Sequence, residues 1–470
     1  MFDEEWNFQD EQERLELVKR YEEMVASNAS YFFDTEEFEA LIEYYLEKNR
    51  IKQAENVIKY AHGMYPDSTI LLLREAQILA GSGKLSKAIP RLQNLLQFEP
   101  QNEEVLMTLA NIYSQLHEHK KAITYLQEAL KYADDELRDE LWIELALEYE
   151  NLDQWDKAIE TLKNAIEINA ENETALYELA YCYDMAMKLD DSIVFFEAFI
   201  DAHPYSFPAW YNLGNIFQKL ERFDEALSAY DYCLVIQEDF TPAYLNKANA
   251  LVKLEKYEDA IGVYHELNDH EPPQANTYCF IGECYERLDQ LDEANRYYDK
   301  ALGMDDLCTD AYVGKGVIED LRDRFNEAHL YFVRAQQIEP DNIDILMLVA
   351  GNLKKLEKFD EAFRLYEHGV VLEPDNVDLW LDYADNFYLI GKSQEAHNFV
   401  SFALGRVNET IDLRYRAVAY LYALGKKKEA YAQLEILLSE AFENSQSLLD
   451  YSPELAEDQN VIRLLELYKA

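Results

Sequence analysis

Apolar and small residues fall along this chain in paired helical stripes. One pair begins with Ala209-Trp210-Tyr211-Asn212-Leu213-Gly214-Asn215 and Phe217, and its second stripe carries Ala226, Tyr230 and Cys233. Spacing of this kind predicts two amphipathic helices folded back on one another and touching where the side chains are small. The pattern returns 34 residues later as Tyr244, Lys247-Ala248, Leu251, Ala260, Tyr264 and Pro272. It returns again as Tyr278, Ile281-Gly282, Tyr285, Ala294, Tyr298 and Ala301.

Taken from its start, the chain divides into four stretches. Residues 1–34 are acidic and predict a tip followed by a capping helix, with Leu15, Val18, Tyr21 and Val25 on one stripe. Residues 35–138 hold the first three repeats, opening at Asp34-Thr35-Glu36-Glu37, where Asp34 can cap and Glu37 can answer it. After Asp134-Asp135-Glu136 the period slips by two residues, which predicts a longer turn between repeats. Residues 139–444 then hold repeats four to twelve, with Ser192 standing where the other units mostly have Ala. Pro66, Pro100, Pro204, Pro272, Pro340 and Pro374 stop one hairpin before the next, because proline cannot continue a helix. Residues 445–470 leave the pattern; Ser452-Pro453-Glu454 starts a C-terminal capping helix whose stripe is Val461, Leu464, Leu465 and Tyr468.

A 34-residue period with these signposts resembles the tetratricopeptide repeat family, and the resemblance covers most of the chain. It implies an all-α fold: a right-handed α-solenoid (superhelix) of twelve helix hairpins, each packing only on its neighbours. The resemblance also implies a concave groove, lined by the first helix of each repeat, that holds extended peptides or helices. In the central repeats that groove would contain Tyr211, Asn212, Asn215, Gln218 and Lys219, then Leu245, Asn246, Asn249 and Lys253, then Cys279, Glu283, Glu286 and Arg287. Asn212 shares its register with Asn246, and Asn215 with Asn249. An amide both donates and accepts, so such a row can hold a peptide backbone whatever its sequence. Over these two repeats it resembles the asparagine ladder of the repeat domain in O-GlcNAc transferases. Lys219, Lys253 and Arg287 add a basic edge expected to select an acidic or C-terminal group. The plainer alternative is a polar wall with no ligand.

Charge narrows the partners. Against 43 Lys and Arg stand 92 Asp and Glu, a net −49, which repels phosphate backbones and anionic lipid. Neither nucleic acid nor a membrane is an expected partner; a protein or peptide is, and self-association stays open. No apolar run approaches the ~18 residues of a spanning helix, and the start of the chain lacks the pattern of a signal peptide. Five cysteines without a framework spacing point to a reducing compartment, and the expectation is a cytoplasmic protein.

Candidate chemistry is sparse. No phosphate loop, dinucleotide fingerprint, zincin helix or nucleophile elbow is present, so the expectation is a non-enzyme with no catalytic, cofactor or metal residues. Cys182, Cys233, Cys279 and Cys284 fall at small, half-buried places and read as packing. His117-Glu118-His119 is a clustered pair in a turn without a third soft ligand. Asp310, Asp344, Asp378 and Asp412 each begin a first helix, where a carboxylate is favoured by the free N–H groups and dipole. The function expected is a scaffold or adaptor that holds polypeptide in its groove. Alternatives are an acidic escort for basic proteins, using walls such as Glu36, Glu39, Glu43 and Glu47, or a structural subunit of a larger assembly.

Overall fold

Each hairpin turns on one residue in the left-handed region of backbone space. Nine are not glycine (Asn49, His117, Asp153, Met187, Glu221, Glu255, Asp289, Asp323 and Glu357, φ 55 to 58°), and three are Gly83, Gly391 and Gly425. Their spacing is 34 residues throughout, apart from the 36 between His117 and Asp153. The next residue closes the first helix behind it: the Arg222 N–H reaches the Phe217 carbonyl at 2.8 Å, the closure usual where a left-handed residue ends a helix.

The computed structural model describes residues 2–27, 29–407 and 411–469, with side chains from Arg14 onward and Glu136 excepted. Among these residues the fold is all-α, an α-solenoid of consecutive packed helices without a strand. It forms two compact units, Met1–Ala243 and Tyr244–Ala470. Their boundary is not the period step near 139. That step is taken up within the first unit: the helix His119–Ala129 stops at 11 residues, the connection 130–134 has five residues where 99–102 has four, and the helix Asp135–Glu150 starts early and has 16 where most first helices have 13.

In the first unit, the helix Phe2–Ser27 lies on the hairpin Thr35–Glu47 and Ile51–Met64. Among its described side chains, Val18, Tyr21 and Met24 are buried, against Phe33, Phe38 and Tyr45. Val25, expected on that stripe, faces solvent, and so in large part does Leu15; Met24 occupies the inward position. Asp34 and Glu37 form the reciprocal cap the sequence predicts, with the Glu37 N–H 2.8 Å from Asp34 Oδ1 and the Asp34 N–H 3.0 Å from Glu37 Oε2.

Several linkers share a Glu-Pro-x-Asn sequence whose role is clear only in three dimensions. Asn102, Asn342 and Asn376 each accept the N–H three residues on, capping the next helix. Each also donates to the glutamate three residues back at 2.8 Å (Glu99, Glu339, Glu373). The linker therefore ends one repeat at its proline and starts the next at its asparagine. Pro90, by contrast, lies inside the helix Leu85–Phe98, where it removes one backbone donor.

Where the two helices of a hairpin cross, Ala54, Ala88, Ala122, Ala158, Ala226, Ala260, Ala294, Ala328, Ala362, Ala396 and Ala430 are fully buried. Ser192 occupies the same place, equally buried, and its hydroxyl has no hydrogen-bond partner among the described residues. An unsatisfied buried hydroxyl costs about 1–3 kcal/mol, and alanine is the residue the site is built for. Ser192→Ala should therefore stabilise the first unit by about 1 kcal/mol, read as a higher denaturant midpoint. A lower midpoint would refute the reading.

In the second unit the hairpins end in three short helices, Ser445–Tyr451, Pro453–Glu457 and Gln459–Tyr468. The sequence predicts a single capping helix here. The chain instead turns twice, so that Leu448, Leu455 and Val461 all bury against Leu434, Leu437 and Leu438.

Candidate functional site

The eight residues expected to line the groove fall four in each unit. In the first unit they are largely committed to the solenoid itself. Asn212 is buried, and its Nδ2 donates to the Leu176 carbonyl of the preceding hairpin at 3.1 Å. This is a correction to the sequence reading: the amide meant for a ligand satisfies a buried carbonyl at the seam between repeats, a group that is costly to leave unpaired. Asn215 accepts from the buried Tyr230 hydroxyl at 2.9 Å, and Gln218 lies 3.0 Å from the same oxygen. Lys219 pairs with Asp184. Tyr211 packs edge-on against Tyr177 and Phe240.

In the second unit the other four come together. Asn246, Asn249, Lys253 and Arg287 line one pocket of about 370 Å³ with Leu245, Val252, Tyr257, Tyr264, Phe280, Glu283 and Cys284. The helix Thr241–Lys253 supplies one wall, and the helix Ala275–Arg287 the other. Tyr264, from the second helix of the seventh hairpin, forms a floor with Phe280; their rings stack with centroids 5.7 Å apart. Lys253 and Arg287 are exposed, and neither closes an ion pair among the described residues. Cys279, expected in the groove, is fully buried beneath the wall.

Glu283 gives the pocket a titratable group near neutrality. It opens to solvent on the pocket side but is crowded by protein on the others. That crowding, with the Asp310 and Glu286 carboxylates nearby, pushes its carboxyl up to about 7 against the pull of Arg287. Burial also raises Glu286, although the Tyr298 hydroxyl and Arg287 oppose it. The Cys284 thiol is pushed up to about 12, by burial first and Glu283 second, which leaves it protonated and unreactive.

The other chemistry weighed from the sequence resolves into packing and pairing. His119 Nδ1 lies 2.9 Å from Glu148 Oε2 on the next hairpin, and His117 forms the turn. Among the described residues no group of three His, Cys, Asp or Glu could hold a metal ion, and no helix is long and apolar enough to cross a membrane. The acidic wall of the first hairpin is met by cations: Arg74 reaches Glu39, Glu43 and Glu104, and Arg14 reaches Glu43 and Glu47. That pairing leaves less free negative charge for a basic client than the sequence implies.

The repeated hairpin, its left-handed turn and its small-residue crossing define a helical-repeat protein. The chain is a tetratricopeptide repeat protein. Models of the tetratricopeptide repeat match residues 79–142, 139–182, 174–206, 207–240 and 275–306. Among solved structures it is similar to a tetratricopeptide repeat protein from Parabacteroides merdae, at 18% identity and a TM-score of 0.38, over 54% of this chain and 99% of that one. It is also similar to the MamA protein, at 18% identity and TM-score 0.31, over 36% of this chain and 92% of that one. A third is YrrB, described as a tetratricopeptide repeat protein with an unusual peptide-binding site, at 18% identity and TM-score 0.30, over 39% of this chain and 95% of that one. No curated protein sequence matches.

Proposed function

We propose that this chain is a non-catalytic scaffold that binds polypeptide, and that the pocket of the seventh and eighth hairpins receives an apolar side chain beside an acidic or C-terminal carboxylate. One observation carries the reading: two exposed cations, Lys253 and Arg287, converge over an aromatic floor with Asn249 beside them. Tyr264 and Phe280 offer the apolar contact, Asn249 faces the backbone, and Lys253 with Arg287 meet the carboxylate. A partly desolvated, charge-assisted pair is among the stronger polar contacts a groove can make. In a chain of net charge −49, a local cationic pair also sets where an acidic segment can approach.

The test is a labelled peptide array varying one acidic position and one apolar neighbour, with affinities read by fluorescence anisotropy. Replacing Lys253 and Arg287 together by alanine should weaken the best peptide at least about tenfold, from two charged contacts of roughly 1 kcal/mol or more each, with helicity unchanged. A folded double variant that binds as tightly as the parent would sink the reading.

The pH dependence has a definite sign. A carboxylate ligand is repelled by ionised Glu283 and tolerated by its protonated form, so binding takes up a proton. The groups facing Glu283 are Asp310, Glu286 and Arg287. Affinity for an acidic peptide should fall as pH rises through about 7, and Glu283→Gln should flatten that profile. Affinity that rises over the same interval would contradict the placement of the ligand carboxylate.

A further inference from the structure

All five cysteines are buried free thiols. Two of them meet: Cys279 Sγ lies 3.4 Å from Cys308 Sγ, with the first side chain fully buried and the second 5% exposed. Cys279 is on the helix Ala275–Arg287, the wall of the pocket, and Cys308 immediately precedes the helix Thr309–Leu321 of the next hairpin. The whole second helix of the eighth hairpin, Leu291–Met304, lies between them in sequence. Cys182 is engaged by Glu150 Oε1 at 3.2 Å. Cys284 sits five residues from Cys279 on the same helix, on the side that faces the pocket.

We propose that Cys279 and Cys308 are an oxidisable pair that closes to a disulfide, stapling the pocket-bearing wall of the eighth hairpin to the start of the ninth. The sulfurs are already at van der Waals contact, and a disulfide bond of about 2.05 Å needs only a small further approach. The chemistry is a two-electron oxidation. One thiolate adds to the oxidant, and the second sulfur attacks the first and expels the reduced oxidant. With diamide, the N=N bond accepts two electrons and two protons and leaves as the hydrazine. Burial, with Cys308, Asp310 and Glu283 nearby, holds the Cys279 thiol protonated, so reaction in the native chain is slow and passes through brief local opening. Specificity comes from proximity rather than from a reactive thiolate. Phe280 follows Cys279 directly and Glu283 lies one turn on, so the staple joins the pocket wall through the same helix. The staple stiffens the wall to which both belong, and the inference stands whether or not that pocket binds peptide.

The experiment uses the full chain, reduced, held well below its unfolding temperature and treated with diamide. Free thiols are then alkylated and the protein is mapped with and without reduction. The expected product is one intramolecular Cys279–Cys308 link, with two fewer alkylated cysteines after denaturation. The Tm of the oxidised chain should rise by several degrees and return on adding dithiothreitol, because the cross-link restricts the unfolded chain. Cys308→Ser should lose the link and the Tm response together; Cys279→Ser serves if the first variant fails to fold. Retention of all five thiols overturns the proposal. So does a link through Cys182, Cys233 or Cys284, or a Cys279–Cys308 link that lowers the Tm.

Discussion

Replacing Gly314 with alanine is expected to cost the second unit about 3 kcal/mol or more, at the upper end of what overpacking a core does. A Cβ at Gly314 would stand 2.2 Å from Tyr298 Cζ and 2.5 Å from its Cε2. The ring has nowhere to retreat, because a Cβ at Gly282 would already stand 2.7 Å from its Cε1, so Tyr298 is held between two glycines of successive hairpins. Its side chain is fully buried, and its hydroxyl donates to Glu286 Oε2 at 3.2 Å. Removing the ring instead, by Tyr298→Ala, should cost about 3–5 kcal/mol as a cavity. The two changes share one volume and should not add: Gly314→Ala combined with Tyr298→Leu should be less damaging than the sum of the singles. Denaturant midpoints and amide exchange check this. Because repeats stabilise only their neighbours, protection should fall first over residues 275–338 and stay near parental in the first unit. A Gly314→Ala protein with parental stability would show that the crossing is looser than described.

Asp458→Ala should detach the C-terminal helices from the twelfth hairpin. Asp458 caps the helix Gln459–Tyr468 through the Asn460 N–H at 2.9 Å. Its other oxygen receives the Tyr431 hydroxyl at 2.8 Å, the Tyr422 hydroxyl at 2.9 Å and the Lys427 ammonium at 3.3 Å. Four donors on one carboxylate outweigh the burial that opposes ionisation and hold Asp458 far below the usual carboxylate range. Hydrogen bonds to a charged group contribute about 1.5–3 kcal/mol each, and they act here as one unit, so the expected loss is about 3 kcal/mol of local stability. The sign with pH follows from the depressed value. The contribution is complete above the ordinary aspartate pKa of about 3.9 and fades as acid protonates the folded form. Exchange protection over residues 445–469 should therefore fall on substitution and again in strong acid. Asp458→Asn, which keeps a cap oxygen but not the charge, should lie between parent and alanine. Unchanged protection in the alanine variant would mean that Leu448, Leu455 and Val461 hold the cap unaided.

Much of this protein could be read from residue spacing because its contacts are local. A hairpin needs its turn, its small-residue crossing and its cap at set intervals, and Ala226, Ala260, Ala294 and Ala328 keep those intervals. The pocket was legible in part. Asn246, Asn249, Lys253 and Arg287 share one face by register alone, and the structure brings all four to one cavity. Tyr264 and Phe280, which form its floor, were legible only as core signposts or not at all. Their meeting at the pocket floor depends on how two hairpins lean on each other, and no spacing records that.

The residues that register grouped wrongly show the limit. Asn212 reads from its register as a groove residue, yet its amide is used on a carbonyl 36 residues earlier. Lys219 has the position of Lys253, yet an aspartate stands within its reach at 184. The meeting of Cys279 with Cys308 likewise depends on a helix and two turns between them. Sequence by itself determined the repeated hairpins and the Asp34–Glu37 cap, since each follows from side chains a few residues apart and from the backbone's own hydrogen bonds. Tertiary structure alone decided which polar groups stay available to a partner, because an amide, a cation or a thiol is free only when no neighbouring repeat has already met it.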